Sequence, residues 1–154
     1  MENQIILETK RLVLKSITPK IITEIFKTKT ETEIIAYFET DENGFSILKD
    51  MNENGAETYQ ISQYYFLLIN KETNKIIGDC GFHTWNKKHK RAELFYNLKF
   101  DSDKRKGLMT EALAEVLNFG FDDLELHRIQ AMVADYNIPS VKLLNHFHFQ
   151  KEGI

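Results

Sequence analysis

The sequence predicts a single mixed α/β domain over residues 1–154, built on a central, mostly antiparallel twisted sheet of about six strands flanked by helices. Three patterns lead there. Residues 101–121 read as a loop running into an amphipathic helix, directly after a strand-like run. Residues 64–100 read as three strands separated by short polar turns. Helical apolar stripes fill much of the chain between residue 18 and the first of those strands.

In chain order, Arg11–Lys15 alternates Leu12 and Leu14 with Arg11, Val13 and Lys15, which suits a first strand. Thr18-Pro19 offers a helix cap followed by proline at the first helical position, and Ile21, Ile22, Ile25 and Phe26 form the stripe behind it. A short helix is expected over Thr32–Phe38, a turn at Asp41–Gly44, and a polar helix over Phe45–Tyr59 with Ile47, Leu48 and Met51 turned inward. Tyr64–Ile69, Lys75–Thr84 and Arg91–Phe100 are the meander, and antiparallel pairing follows from its short turns. Gly78 and Gly81 within a strand pattern predict a bulge or a close backbone approach. In the long helix the pairs Leu108-Met109, Ala112-Leu113 and Val116-Leu117 recur every four residues, with Phe121 completing one core-facing row. His127–Val133 alternates as a fifth strand. Asn137–Phe147 is a helix capped by Asn137 with Pro139 just inside, and Phe149–Ile154 begins a sixth strand.

Composition narrows the function. A net charge of -3 gives no support for nucleic-acid binding. The lone cysteine, Cys80, excludes an intrachain disulfide and a cysteine-built metal cluster, and it reads as a small buried hydrophobe. No metal is expected: His146 and His148 have no third ligand near them, and no local signature supports a Cys/His nucleophilic pair with His83 or His127. The N-terminus lacks a signal-peptide pattern and no apolar run is long enough to span a bilayer, so the expectation is a cytoplasmic protein without a membrane partner.

The most informative stretch is the loop before the long helix. Lys104, Arg105 and Lys106 run into Gly107, between a strand and a helix N-terminus. Unpaired N–H groups, the positive end of the helix dipole and three cations make a ready anion site, while Gly107 lets a ligand approach the backbone closely. The plainer alternative is a basic loop leading into a core helix. The loop has neither the three glycines of a dinucleotide fingerprint nor the Gly-Lys-Ser/Thr ending of a phosphate-binding loop of the Walker type.

Set in order along the chain, LETKRLVL at 7–14, IIGDCGFH at 76–83, RAELFYNL at 91–98, the KRKGLM loop at 104–109 and DYNIPSVKLL at 135–144 resemble the GNAT acetyltransferase superfamily. The tail GLMTEALAEVLNFGFDDLELHRIQAMV is similar to its Rim-type branch, enzymes that acetylate protein N-termini. The family loop reads Gln/Arg-x-x-Gly-x-Gly/Ala. Here Lys104 stands at its first position and Met109 at its last. The resemblance implies a sheet splayed between the expected fourth and fifth strands, with acetyl-CoA entering that cleft as co-substrate. It places the pyrophosphate at Lys104, Arg105, Lys106, Gly107, Leu108, Met109 and Thr110, and the pantetheine arm along Leu98 and Lys99. It also makes Asn137 a pantetheine contact, brings Lys142 toward a phosphate, and sets Ser140 beside the thiol as proton donor to the leaving group. For Asn137 a plain helix cap is the alternative, and for Lys142 a solvated helix lysine.

Acyl transfer to an amine also needs a base. Glu93, on the opposite strand face from Ala92 and Leu94, is the candidate, acting through a water; the alternative is a strand-end carboxylate paired with Arg91 or Lys99. The implied reaction is direct acetyl transfer to a primary amine, either a protein N-terminus or a small molecule. Family members continue into a seventh strand. Its absence here leads to two further expectations: an open C-terminal sheet edge through which two copies could pair, or a truncated, non-catalytic module that binds acyl-CoA or a protein. At the exit of the last helix His148 replaces a usual glycine, so a left-handed backbone or an altered turn is expected there.

Overall fold

A computed structural model describes residues 3–55, 57–58 and 61–153. Its elements run β1 (Ile6–Glu8), β2 (Leu12–Ile17), α1 (Pro19–Thr28), α2 (Glu31–Phe38), α3 (Glu42–Asn54), β3 (Ile61–Asn70), β4 (Ile76–Asn86), β5 (Arg91–Leu98), α4 (Leu108–Asp122), β6 (Arg128–Gln130) and α5 (Ile138–His146). The six strands form one sheet in chain order. All neighbours are antiparallel except β5 and β6, which pair in parallel over Arg91–Glu93 and Arg128–Gln130. The pairing stops at Glu93 and Gln130, where β6 ends, and β5 runs on alone to Leu98, which agrees with a sheet opened between these two strands.

Alternation along the strands sends side chains to two separate cores. Leu12, Leu14, Phe66, Leu68, Phe82, Ala92 and Leu94 pack on one face under α4. Ile17, Tyr65 and Leu67 pack on the other with α1, α2 and α3. The paired apolar positions of α4 are buried as expected, but its last turn differs: Phe119 and Gly120 face the sheet while Phe121 is exposed. Gly78 does mark a close approach, since a Cβ there would lie 2.1 Å from the Asn97 carbonyl oxygen on β5.

Local capping chemistry sets the helix starts. The Thr18 hydroxyl accepts from the Ile21 N–H, with Pro19 opening α1. Thr30 and Glu33 form a reciprocal capping box on α2. Asp41 caps α3, so the expected turn at 41–44 is instead the first turn of that helix. The helix ends at Asn54, and the expected end at Tyr59 lies outside the described residues.

Three strand expectations need correction. A first strand at Ile6–Glu8 precedes the expected one, paired to β2. The expected fifth strand contracts to Arg128–Gln130. The expected sixth strand does not form over residues 149–153, and Ile154 lies outside the described residues. Phe149 instead closes the exit of α5, its N–H donating to the Leu144 carbonyl and its ring packing against the α4-side core. His148 takes the left-handed backbone, at φ 61°. Among the described residues no helix is long and apolar enough to cross a membrane.

Candidate active site

Where β5 leaves β6, a cleft of about 980 Å³ opens between the end of β5, the 101–110 loop and the start of α5. Past Glu93, β5 has no strand partner on its β6 side among the described residues, and its last residues, Tyr96, Asn97 and Leu98, border this opening. A second hollow of about 450 Å³, between α1 and α3, contains none of the candidate residues.

The loop wall has the geometry of an anion cradle. Arg105 and Gly107 both take left-handed backbones, at φ 62° and 75°. Gly107 is the N-cap of α4 and among the described residues no side chain caps that helix, which leaves its first N–H groups for solvent or a ligand. A non-glycine residue at φ 75° would be strained even though its Cβ would meet only Arg11 Nη2, at an ordinary contact distance of 3.5 Å. Leu108 and Met109 border the cleft, but their side chains are buried in the core below, so Met109 adds little bulk to the opening. Lys104 donates to Asp101 at 2.8 Å, and this bond and charge hold the Asp101 carboxyl below its ordinary range. Part of the loop's positive charge is therefore answered within the loop.

A brace from the far end of the chain fixes the loop. Glu111, on the first turns of α4, accepts from the Arg11 backbone N–H at 2.8 Å, from Arg11 Nε at 2.9 Å and from the Thr9 hydroxyl. Arg11 Nη1 then donates to the Lys106 carbonyl at 2.9 Å. Burial raises the Glu111 pKa, but the bonds from Thr9 and Arg11 outweigh it and hold the carboxyl below its usual range. Sequence reading used Thr9 and Arg11 as part of the family-like LETKRLVL segment and of a first strand, gave neither a role at the loop, and did not single out Glu111. The one available signal was a carboxylate in the first turns of a helix.

On the opposite wall, Asn137 caps α5 by accepting from the Ser140 N–H at 3.3 Å. Asn137, Ser140 and Lys142 all line the cleft, as do Leu98, Lys104, Arg105, Gly107 and Thr110. Three candidates lie elsewhere. Lys99 reaches away to donate to the Glu39 carbonyl at 2.7 Å, and Lys106 is not part of the lining. Glu93 sits three residues before Tyr96, the first cleft residue of β5, a distance of roughly 10 Å along an extended strand. Among the described residues neither Arg91 nor Lys99 forms an ion pair with Glu93; its neighbour is His83, with Nε2 3.9 Å from Oε1. Cys80 is fully buried, and burial followed by the nearby Asp79 charge pushes its thiol well above the ordinary range, which removes it as a nucleophile. Among the described residues no cluster of side chains could hold a metal ion.

Comparison with known proteins places this geometry in context. The acetyltransferase (GNAT) domain family matches residues 11–150. The uncharacterized N-acetyltransferase YoaA of Bacillus subtilis is 34% identical over 155 residues, covering 97% of this chain and 85% of that protein. The uncharacterized N-acetyltransferase p20 of Bacillus licheniformis is 44% identical over 89 residues, covering 58% of this chain and about half, 49%, of that protein. Among solved structures, a GNAT-family acetyltransferase from Bacillus anthracis superimposes with a TM-score of 0.65 at 21% identity, covering 97% of this chain and 86% of that one. A Vibrio cholerae protein assigned as a ribosomal-protein-serine acetyltransferase gives 0.62 at 24% identity, covering 94% and 82%. The dodecameric spermidine N-acetyltransferase of Vibrio cholerae gives 0.65 at 20% identity, covering 93% and 81%. At these identities the structures share the fold.

Proposed function

The chain belongs to the acetyltransferase (GNAT) family, and from that premise we propose that it transfers the acetyl group of acetyl-CoA directly to a primary amine. The observation that carries this reading is the cleft where β5 parts from β6, with an uncapped helix N-terminus on one wall and the Asn137–Ser140 turn on the other. The pyrophosphate would rest on the N–H groups that follow Gly107, with Lys104, Arg105 and Lys142 beside it. The pantetheine arm would lie along β5 at Leu98, bonding the unpartnered main chain there and the Asn137 side chain.

In the reaction, the ammonium of the acceptor gives one proton to Glu93 through a water, and the freed lone pair attacks the thioester carbonyl. The C–S bond then breaks, and the thiolate takes a second amine proton by way of the Ser140 hydroxyl. Free N–H groups of β5 could serve the oxyanion. The Rim-type resemblance favours a protein N-terminus as acceptor, and the spermidine enzyme among the structural neighbours supports a small amine as the other class. The open edge of β6 would let two copies pair; the dodecameric neighbour supports assembly on this fold.

Calorimetric titration with acetyl-CoA, followed by mass spectrometry of amines incubated with it, tests the reading. One site per chain and an acetylated amine are expected. Binding without product would favour a non-catalytic acyl-CoA-binding module, the reading that Glu93's position off the cleft wall supports. Absence of binding would refute both.

A further inference from the structure

The fold sets an otherwise unassigned histidine against the proposed base. His83 on β4 and Glu93 on β5 are cross-strand partners, with Nε2 3.9 Å from Oε1. That gap is too long for a direct hydrogen bond. It suits one atom shared between them: a water about 2.8 Å from each would see the two groups at roughly 90°.

The imidazole is held for this. Its Nδ1 lies 2.9 Å from the Thr84 hydroxyl, and its ring packs on Phe95 at 5.6 Å between centroids. Phe95 in turn packs on buried Tyr65. Thr84 takes a left-handed backbone at φ 48°, which a β-branched residue rarely adopts. The strain falls in the irregular stretch between His83 and Asn86, where β4 breaks register with β5, and such outliers gather at functional sites. Gln63, on β3 between the paired positions Ser62 and Tyr64 where the β3–β4 register also shifts, carries a buried Nε2 without a hydrogen-bond partner among the described residues. Among the described residues that N–H group is a donor which a water or substrate could meet.

We propose that His83 is a positioning residue for acetyl transfer: its Nε2–H holds the water through which Glu93 takes the proton of the acceptor amine. The inference rests on the acetyl-transfer reading above. The facing carboxylate favours the tautomer with hydrogen on Nε2, and the Thr84 hydroxyl then donates to Nδ1. The water accepts from Nε2–H, donates to Glu93 Oε1 and keeps a lone pair for the ammonium. As one proton passes from nitrogen to the water, the water's own proton moves to Glu93, and the nitrogen lone pair is free to form the C–N bond.

The test uses the full chain with acetyl-CoA and two acceptors, an unblocked alanyl peptide and spermidine, following thiol release. His83→Leu should lower kcat about 10- to 100-fold on the better acceptor, the scale for losing a partner that orients a reacting group, with acetyl-CoA affinity and Tm unchanged. His83→Gln, which retains an N–H donor, should recover most of that loss. An unaltered kcat in His83→Leu, or an equal loss in His83→Gln, overturns the inference and leaves acetyl transfer standing. No thiol release by the wild-type chain with either acceptor overturns both.

Discussion

Arg11 and Glu111, a hundred residues apart in sequence, meet through two hydrogen bonds, and the same Arg11 holds the carbonyl of Lys106 in the loop before α4. The loop's shape therefore depends on the N-terminal strands as well as on its own residues.

Arg11→Ala should weaken acetyl-CoA binding about 3- to 30-fold, on the scale of one or two lost hydrogen bonds, with a small drop in Tm. The pair also makes a pH prediction. Glu111 is held below its ordinary range, so its contribution to stability is present above the unfolded-state pKa and is lost as pH falls through the lower folded-state value. Tm measured from neutral to acid pH should fall more steeply for the wild type than for Glu111→Gln. Parallel curves would mean that the brace contributes nothing.

Gly107→Asp should abolish acetyl-CoA binding, because it sets a carboxylate beside the expected pyrophosphate. Gly107→Ala isolates the backbone effect, costing about 1–2 kcal/mol for a left-handed alanine. Affinity should follow the order glycine, alanine, aspartate in calorimetric titration. Equal affinity across the three would remove the loop from the binding site.

The two proposed chemical groups should separate kinetically. Ser140→Ala should lower turnover more than acetyl-CoA affinity, since the hydroxyl is assigned to the departing thiolate and the Asn137 cap needs only the Ser140 backbone. Glu93→Gln should reduce kcat about 10²- to 10⁴-fold, the range for a general base, with the acetyl-CoA Kd unaltered. Steady-state kinetics beside calorimetry distinguishes these outcomes from a general loss of binding.

Cys80 offers a check on the core rather than on the chemistry. Its thiol is fully buried and its pKa strongly raised by desolvation, so a thiol reagent should leave it untouched in the native protein and label it fully in denaturant. Rapid native labelling would contradict the packing of β4 beneath α4.

Elements whose information is local were legible in the sequence. The paired apolar residues of α4, the Thr18-Pro19 start of α1 and the Asn137-Pro139 start of α5 are each written within a few neighbouring residues. Asp41–Gly44 misled because the residues that favour turns also cap helices, and short-range chemistry does not separate the two. Ile6–Glu8 is too short to alternate visibly, and only its pairing with β2 makes it a strand. The site divides along the same line. The 104–109 loop is contiguous, so its shape before α4 could be anticipated, whereas the contacts of Glu111 with Arg11 and of Glu93 with His83 exist only once separate segments are brought together.

The helix α5 fully buries only Leu144, and its apolar hold on the domain, from Leu144, Leu143 and Phe147 at its exit, lies at its C-terminal end, away from the N-terminus that lines the cleft. A co-substrate lying between its N-terminus and the α4 loop would therefore act as mortar across the split in the sheet. By mass action, ligand at a hundred times its dissociation constant adds about 2.7 kcal/mol to the free energy of unfolding. If the proposed cleft holds acetyl-CoA, the chain is sturdier wherever that donor is plentiful, and its removal exposes the last helix first to proteases.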